Sequence, residues 1–184
     1  MRRIFIGIKI SLSPESQQVL SRLKIELRDE PIRWEVPEKL HITLCFIGSV
    51  LPGQLETVCE ILQQVSQEQA VFSFLLKNLS CFKRRGEPAV VFFDVAKGDE
   101  LVGLAGRIKN RLNTTGISTN PGFNPHVTLA RLKKLKNKPA FYAVMDQMRE
   151  TPAQIVDVQK IMLYESVLKP GGSEYKILYE FNFS

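Results

Sequence analysis

The two histidines of the chain each open the same four-residue pattern, His41-Ile42-Thr43-Leu44 and His126-Val127-Thr128-Leu129, 85 residues apart in 184. With 7 Thr and 21 Leu in the sequence, a given His is followed by x-Thr-Leu by chance about 0.4% of the time. For one such motif a packed strand histidine beside a β-favouring threonine is the ordinary explanation. For a matched pair it is a poor one. Side chains alternate along a strand, so His41 and Thr43 share one face while Ile42 and Leu44 share the other, and His126 and Thr128 stand likewise against Val127 and Leu129. Each unit anchors an apolar side in a core and offers an imidazole and a hydroxyl to open space. A fold that holds both must supply two equivalent strands, and two α+β halves facing each other would set them opposite one another.

The surrounding pattern fits such halves. Ile4, Ile6, Ile8 and Ile10 alternate as a strand with one buried face. Ser13-Pro14 then caps a helix carrying Val19, Leu20, Leu23 and Leu27, expected to run to about residue 28. The stretch 33–37 reads as extended chain or loop, 41–47 as a strand closing at Gly48, and Leu55, Val58, Cys59, Leu62 and Val65 as a second helix. Strands at 71–82 and 89–95 flank the polar turn 83–87, a hairpin. A third helix carries Leu101, Leu104, Ala105, Ile108 and Leu112. Beyond a Pro-containing loop at 118–125 come a strand at 126–132, a basic turn at 133–138, a short helix near 139–148, and closing strands at 155–164 and 175–183 around a loop at 169–173. No low-complexity linker divides the chain, so residues 1–184 are expected to form a single bilobal domain, with strands 41–44 and 126–129 facing each other across a groove.

Composition narrows the chemistry. Three cysteines, Cys45, Cys59 and Cys81, are odd in number and not closely spaced, which disfavours a disulfide scaffold and points to free thiols in a reducing cytoplasm. Two histidines without a Cys or carboxylate cluster at ligand spacing make a metal site improbable, and no cofactor is called for. The net charge of +6 biases partners toward anions such as nucleic acid or nucleotides. Met1-Arg2-Arg3 followed by apolar residues fails as a secretory signal because Lys9 interrupts the run and no cleavage site follows, and no stretch is long enough to span a membrane. Nothing marks an obligate protein partner.

Two imidazoles facing one another, each with a hydroxyl beside it, are what metal-free phosphodiester hydrolysis needs. A neutral imidazole takes a proton from water, a protonated one gives a proton to the leaving oxygen, and the hydroxyls of Thr43 and Thr128 hold the non-bridging oxygens. Sequence physics does not choose which histidine is the acid, nor which ester bond breaks.

The chain resembles the 2H phosphoesterase superfamily, named for two His-x-Thr/Ser motifs, and within it the RNA 2′,3′-cyclic phosphodiesterase branch, historically called 2′-5′ RNA ligase. The resemblance is carried by the N-terminal strand, by Arg33-Trp34 ahead of Leu40-His41-Ile42-Thr43-Leu44-Cys45-Phe46-Ile47-Gly48, and by Phe123-Asn124-Pro125-His126-Val127-Thr128-Leu129-Ala130-Arg131. The tail, Leu163-Tyr164-Glu165-Ser166 with Gly172 and Tyr175, is similar to the closing segment of that branch. It implies a bilobal α+β fold, two pseudo-symmetric lobes with antiparallel sheets flanking a central groove. It also implies a role in RNA processing: opening of a terminal 2′,3′-cyclic phosphate to a 2′-phosphomonoester, with His41 as proton donor to the 3′ oxygen and His126 as proton acceptor from water. Rival readings are 2′-5′ ligation by the same site run backward, hydrolysis of other cyclic nucleotides or 2′-5′ oligonucleotides, and a module that binds RNA termini without turnover.

Other residues leave alternatives open. Arg131 belongs to the resemblance and suits phosphate, yet strict alternation puts it on the face opposite His126, so either a bulge re-aims it or its role is structural. The same parity puts Cys45 and Ala130 on the catalytic face, Cys45 as a small groove-lining residue rather than a nucleophile. Trp34 and Phe82 could stack on a terminal base or simply pack on the sheet. Lys83-Arg84-Arg85, where the branch often has Pro after the equivalent of Phe82, could extend a positive groove or form a solvated hairpin tip. Lys133, Lys134, Lys136 and Lys138 suit a phosphate track or a solvated turn.

Overall fold

A computed structural model describes residues 1–170 and 172–184. Among the described residues, nine strands and four helices follow one another as β1 (Arg2–Lys9), α1 (Pro14–Glu26), β2 (Ile32–Trp34), β3 (His41–Val50), α2 (Pro52–Gln67), β4 (Phe72–Arg84), β5 (Glu87–Ala96), α3 (Asp99–Thr114), β6 (His126–Leu132), α4 (Lys138–Gln147), β7 (Gln154–Val158), β8 (Lys160–Lys169) and β9 (Gly172–Asn182). A 3-10 turn at Pro37–Lys39 leads into β3. The strands form two antiparallel sheets, one ordered β3-β1-β8-β9 and the other β2-β6-β5-β4-β7. The architecture is the α+β one anticipated, with one motif strand in each sheet.

Local chemistry explains the element ends. Ser13 caps α1 by accepting the Ser16 amide at 3.2 Å, with Pro14 opening the helix. Asn137 does the same for α4 through the Ala140 amide at 3.0 Å. Between β4 and β5, Arg85 and Gly86 both take positive φ, 53° and 81°, as a two-residue mirror-image turn requires, so Arg84 and Glu87 close the hairpin. The helix α2 packs with β9 and α3 with β3, both in the first sheet, whereas α1, which directly follows β1 of that sheet, is tied at its start to β7 of the second through Gln154 and lays Lys24 against Trp34 of β2. One continuous cluster of buried apolar residues, including Ile4, Ile42, Leu44, Phe74, Phe93, Leu104, Val127 and Leu129, contains residues of both sheets.

One strand expected as continuous is divided. The stretch 155–164 breaks at Gln159 into β7, which pairs with β4, and β8, which pairs with β1 in the other sheet. Val158 and Ile161, on either side of the break, are both buried in the core, while the Gln159 carbonyl accepts the Phe183 amide at 2.8 Å. An unbroken β-favouring run carries no mark of a change of sheet partner. Of the loop expected at 169–173, Gly171 lies outside the described residues. Among the described residues, no helix is long and apolar enough to cross a membrane.

Candidate active site

Both motif strands carry a β-bulge at the same place. In β3, Ile6 pairs with Cys45 and Gly7 with Thr43, leaving Leu44 as the extra residue; in β6, Val91 pairs with Ala130 and Phe92 with Thr128, leaving Leu129 extra. Two consecutive residues then turn inward in each strand. Leu44 with Cys45 and Leu129 with Ala130 are buried, and the alternation resumes one step late. Cys45 and Ala130 therefore belong to the core, correcting the expectation that they line the catalytic face, and burial pushes the Cys45 thiol up to about 11. Phe46 and Arg131, each three residues after its motif threonine, are re-aimed into open space on the histidine side.

That space is a groove of about 360 Å³ between the two sheets, lined by His41 and Thr43 from β3 and by His126, Thr128 and Arg131 from β6. The motif residues thus converge on one cavity. The same cavity takes Arg3 and Phe5 from β1, Arg33 and Glu35 from β2 and the segment after it, Lys39, and Tyr175 from β9. Four cationic side chains, Arg3, Arg33, Lys39 and Arg131, face one carboxylate, Glu35, among the described residues of the lining. The described lining is thus net positive, which favours an anion.

The two imidazoles are held alike. His41 Nδ1 lies 2.6 Å from the Lys39 carbonyl and His126 Nδ1 lies 2.8 Å from the Asn124 carbonyl, each two residues before its histidine. A carbonyl only accepts, so each Nδ1 carries the proton and Nε2 is left as the nitrogen that titrates. His41 Nε2 is 3.1 Å from the Thr43 hydroxyl. Aromatic rings fix the planes: His41 meets Phe5 at 5.0 Å and Tyr175 edge-on at 5.1 Å, and His126 meets Phe82 edge-on at 4.8 Å and Phe92 at 5.3 Å. Gly7 keeps β1 close to β3, since a Cβ there would lie 2.7 Å from the Ile42 carbonyl oxygen and 3.5 Å from the Tyr164 ring. Burial lowers the pKa of both histidines below the ordinary 6.5, against the carbonyl hydrogen bonds, which favour the imidazolium. Glu35 acts upward on His41 and Asp94, the cross-strand neighbour of His126, acts upward on His126.

A family model for LigT-like phosphoesterases matches the chain twice, over residues 10–92 and 93–175. The chain belongs to the LigT-like phosphoesterase family. Each half of this phosphoesterase contributes one of the two motifs, in keeping with the internal repeat. It is 30% identical over 98% of its length to an RNA 2′,3′-cyclic phosphodiesterase of Thermotoga maritima, covering 95% of that protein. With one of Aeropyrum pernix it shares 35% identity over 82% of its length and 85% of the relative. Its fold superimposes on Escherichia coli LigT with a TM-score of 0.73 at 21% identity, covering 100% of this chain and 98% of that one.

Other sequence-derived candidates fall differently. Trp34 of this LigT-like chain is not brought to the groove: alternation along β2 sends Arg33 there and turns Trp34 onto the core, with Lys24 Nζ 5.8 Å above its ring. Phe82 does stand beside His126, stacked on Phe92 at 4.0 Å. Arg84 and Arg85 form an exposed hairpin tip, while Lys83 Nζ sits 5.5 Å over the Tyr142 ring. Lys133, Lys134, Lys136 and Lys138 are not among the lining residues either, and Lys138 pairs with Glu87 at 2.6 Å. The positive lining comes instead from Arg3, Arg33 and Lys39 beside Arg131. Sequence reasoning misses Glu35 and Phe46, although both have a signal: Glu35 follows Arg33 by two positions in an extended stretch, and Phe46 follows His41 by the same five positions that separate Arg131 from His126.

Proposed function

We propose that this phosphoesterase opens the 2′,3′-cyclic phosphate at RNA ends to a 2′-phosphomonoester without a metal ion. The observation that carries the reading is the convergence of two Nδ1-anchored imidazoles, two threonines and Arg131 on one groove. Water attacks phosphorus as its proton passes to Nε2 of His126; the bond to the 3′ oxygen breaks, and that oxygen takes the proton of Nε2 of His41. Thr43, Thr128 and Arg131 hold the non-bridging oxygens, where charge builds in the transition state. The names of the Thermotoga and Aeropyrum relatives support the substrate class. The edge-on contact of Phe82 with His126 supports reading Phe82 as the ring that meets the terminal base, and the three free thiols suit a reducing cytoplasm.

Incubation with an oligoribonucleotide ending in a 2′,3′-cyclic phosphate, in excess chelator, tests this directly. The expected product is the 2′-monoester alone, at an undiminished rate. A 3′-monoester, or loss of activity with chelator, would contradict it; a joined product with a 5′-hydroxyl strand would favour ligation, and binding without turnover would favour an RNA-terminus binding module.

The pH profile follows from the two lowered pKa values. The base works neutral and the acid works protonated, so kcat/KM of the free enzyme rises with one ionisation and falls with the other. Both lie below 6.5, which centres the bell below pH 6.5. A bound phosphate anion favours both imidazolium ions, so the kcat profile is expected at higher pH than that of kcat/KM. A profile flat from pH 5 to 9, a range of about two units either side of neutrality, would contradict paired imidazole catalysis.

A further inference from the structure

Glu35 is out of place in a groove for an anion. Its side chain is only 10% exposed, and it is the one carboxylate among the described lining residues. Three observations define what surrounds it. Arg33 and Arg131 are direct cross-strand partners in β2 and β6, and both line the groove, an arrangement of like charges that costs stability. Glu35 Oε1 lies 3.5 Å from Arg131 Nε, which leaves the terminal guanidinium nitrogens to an incoming phosphate. The Glu35 amide donates to the Leu129 carbonyl at 2.8 Å, and Leu129 is the bulge residue that swings Arg131 into the groove. The Glu35 backbone is therefore fastened to the bulge that aims the arginine, and its carboxylate stands beside the Nε edge of that same guanidinium.

We infer that Glu35 is a positioning residue that holds Arg131 by its Nε edge and keeps the arginine-lined groove from trapping the dianionic product. The inference rests on the proposed reaction and adds to it. A cyclic phosphodiester carries one negative charge and the monoester formed from it approaches two near neutral pH. A fixed carboxylate close to the phosphate subsite repels the second more than the first. It lowers the affinity for product while keeping the guanidinium in register for the transition state.

Glu35→Gln keeps the shape and removes the charge. Inorganic phosphate, measured by titration calorimetry on folded protein, is expected to bind about tenfold more tightly to this variant than to wild type, with a matching drop in the inhibition constant of the 2′-monoester product. Turnover of the cyclic phosphate is expected to fall about tenfold while KM falls too, a split that loss of folded structure would not produce. Glu35→Asp, which retains the charge, restores most of the difference. In an Arg131→Gln background the effect of Glu35→Gln on turnover shrinks, because its target is gone. Phosphate affinity that is unchanged or weaker in Glu35→Gln overturns the inference. A wild type that binds phosphate without opening a cyclic phosphate refutes the proposed reaction instead, and the phosphate isotherms still decide the case of Glu35.

Discussion

His41→Ala and His126→Ala are each expected to lower kcat for cyclic phosphate opening by about 10³- to 10⁴-fold while leaving the protein folded, the upper range for loss of a positioned acid or base. Both rings lie at the groove surface rather than in the main core, so their removal costs catalysis far more than packing. The two act on one displacement. The double variant is therefore expected to be little worse than either single one, since removing one partner already strands the other. Steady-state turnover of a cyclic-phosphate oligonucleotide, with thermal melting as the folding control, measures this. A loss below tenfold in either single variant would remove that histidine from the proton-transfer scheme.

Leu129→Ala is expected to cost much stability and to disturb the site as well. Leu129 is wholly buried, and a buried Leu→Ala change costs about 2–5 kcal/mol through lost burial plus the cavity left behind. Its position adds a functional consequence. Leu129 is the extra residue of the bulge, and its burial together with Ala130 lets Arg131 face the groove. A lower urea midpoint at unchanged slope should accompany a weaker grip on phosphate. Leu44→Ala, at the equivalent bulge of β3, should cost similar stability, with Phe46 rather than an arginine displaced. Destabilisation under 1 kcal/mol, roughly the cost of a surface change, would mean that the bulge is not anchored by these leucines.

The repeated motif makes the centre of the candidate site legible in the sequence. His-x-Thr-Leu announces a strand with two faces, and the structure sets both polar faces on one groove. The helical faces were equally readable: Leu101, Leu104, Ala105, Ile108 and Leu112 are all wholly buried, as their spacing requires. Departures came where local pattern and long-range pairing part company. Strict alternation misplaced Cys45 and Ala130 and left Arg131 undecided, because a bulge is a property of two paired strands and the sequence of one does not reveal it. The basic runs at 83–85 and 133–138 drew attention through their density, whereas the cations that line the groove are dispersed as Arg3, Arg33, Lys39 and Arg131 and meet only through the fold. Glu35 was passed over for a similar reason, since a single carboxylate means little until the two arginines beside it are known.

In-line displacement between two imidazoles is tested most directly by a crystal structure of the protein with a nucleoside and vanadate, which mimics the five-coordinate phosphorus. The account predicts vanadium in the groove, with its two apical oxygens within hydrogen-bond reach, about 2.6–3.2 Å, of His41 Nε2 and His126 Nε2 respectively, and equatorial oxygens on Thr43, Thr128 and Arg131. Vanadate bound elsewhere, or held by one histidine with the other out of reach of either apical oxygen, would contradict it.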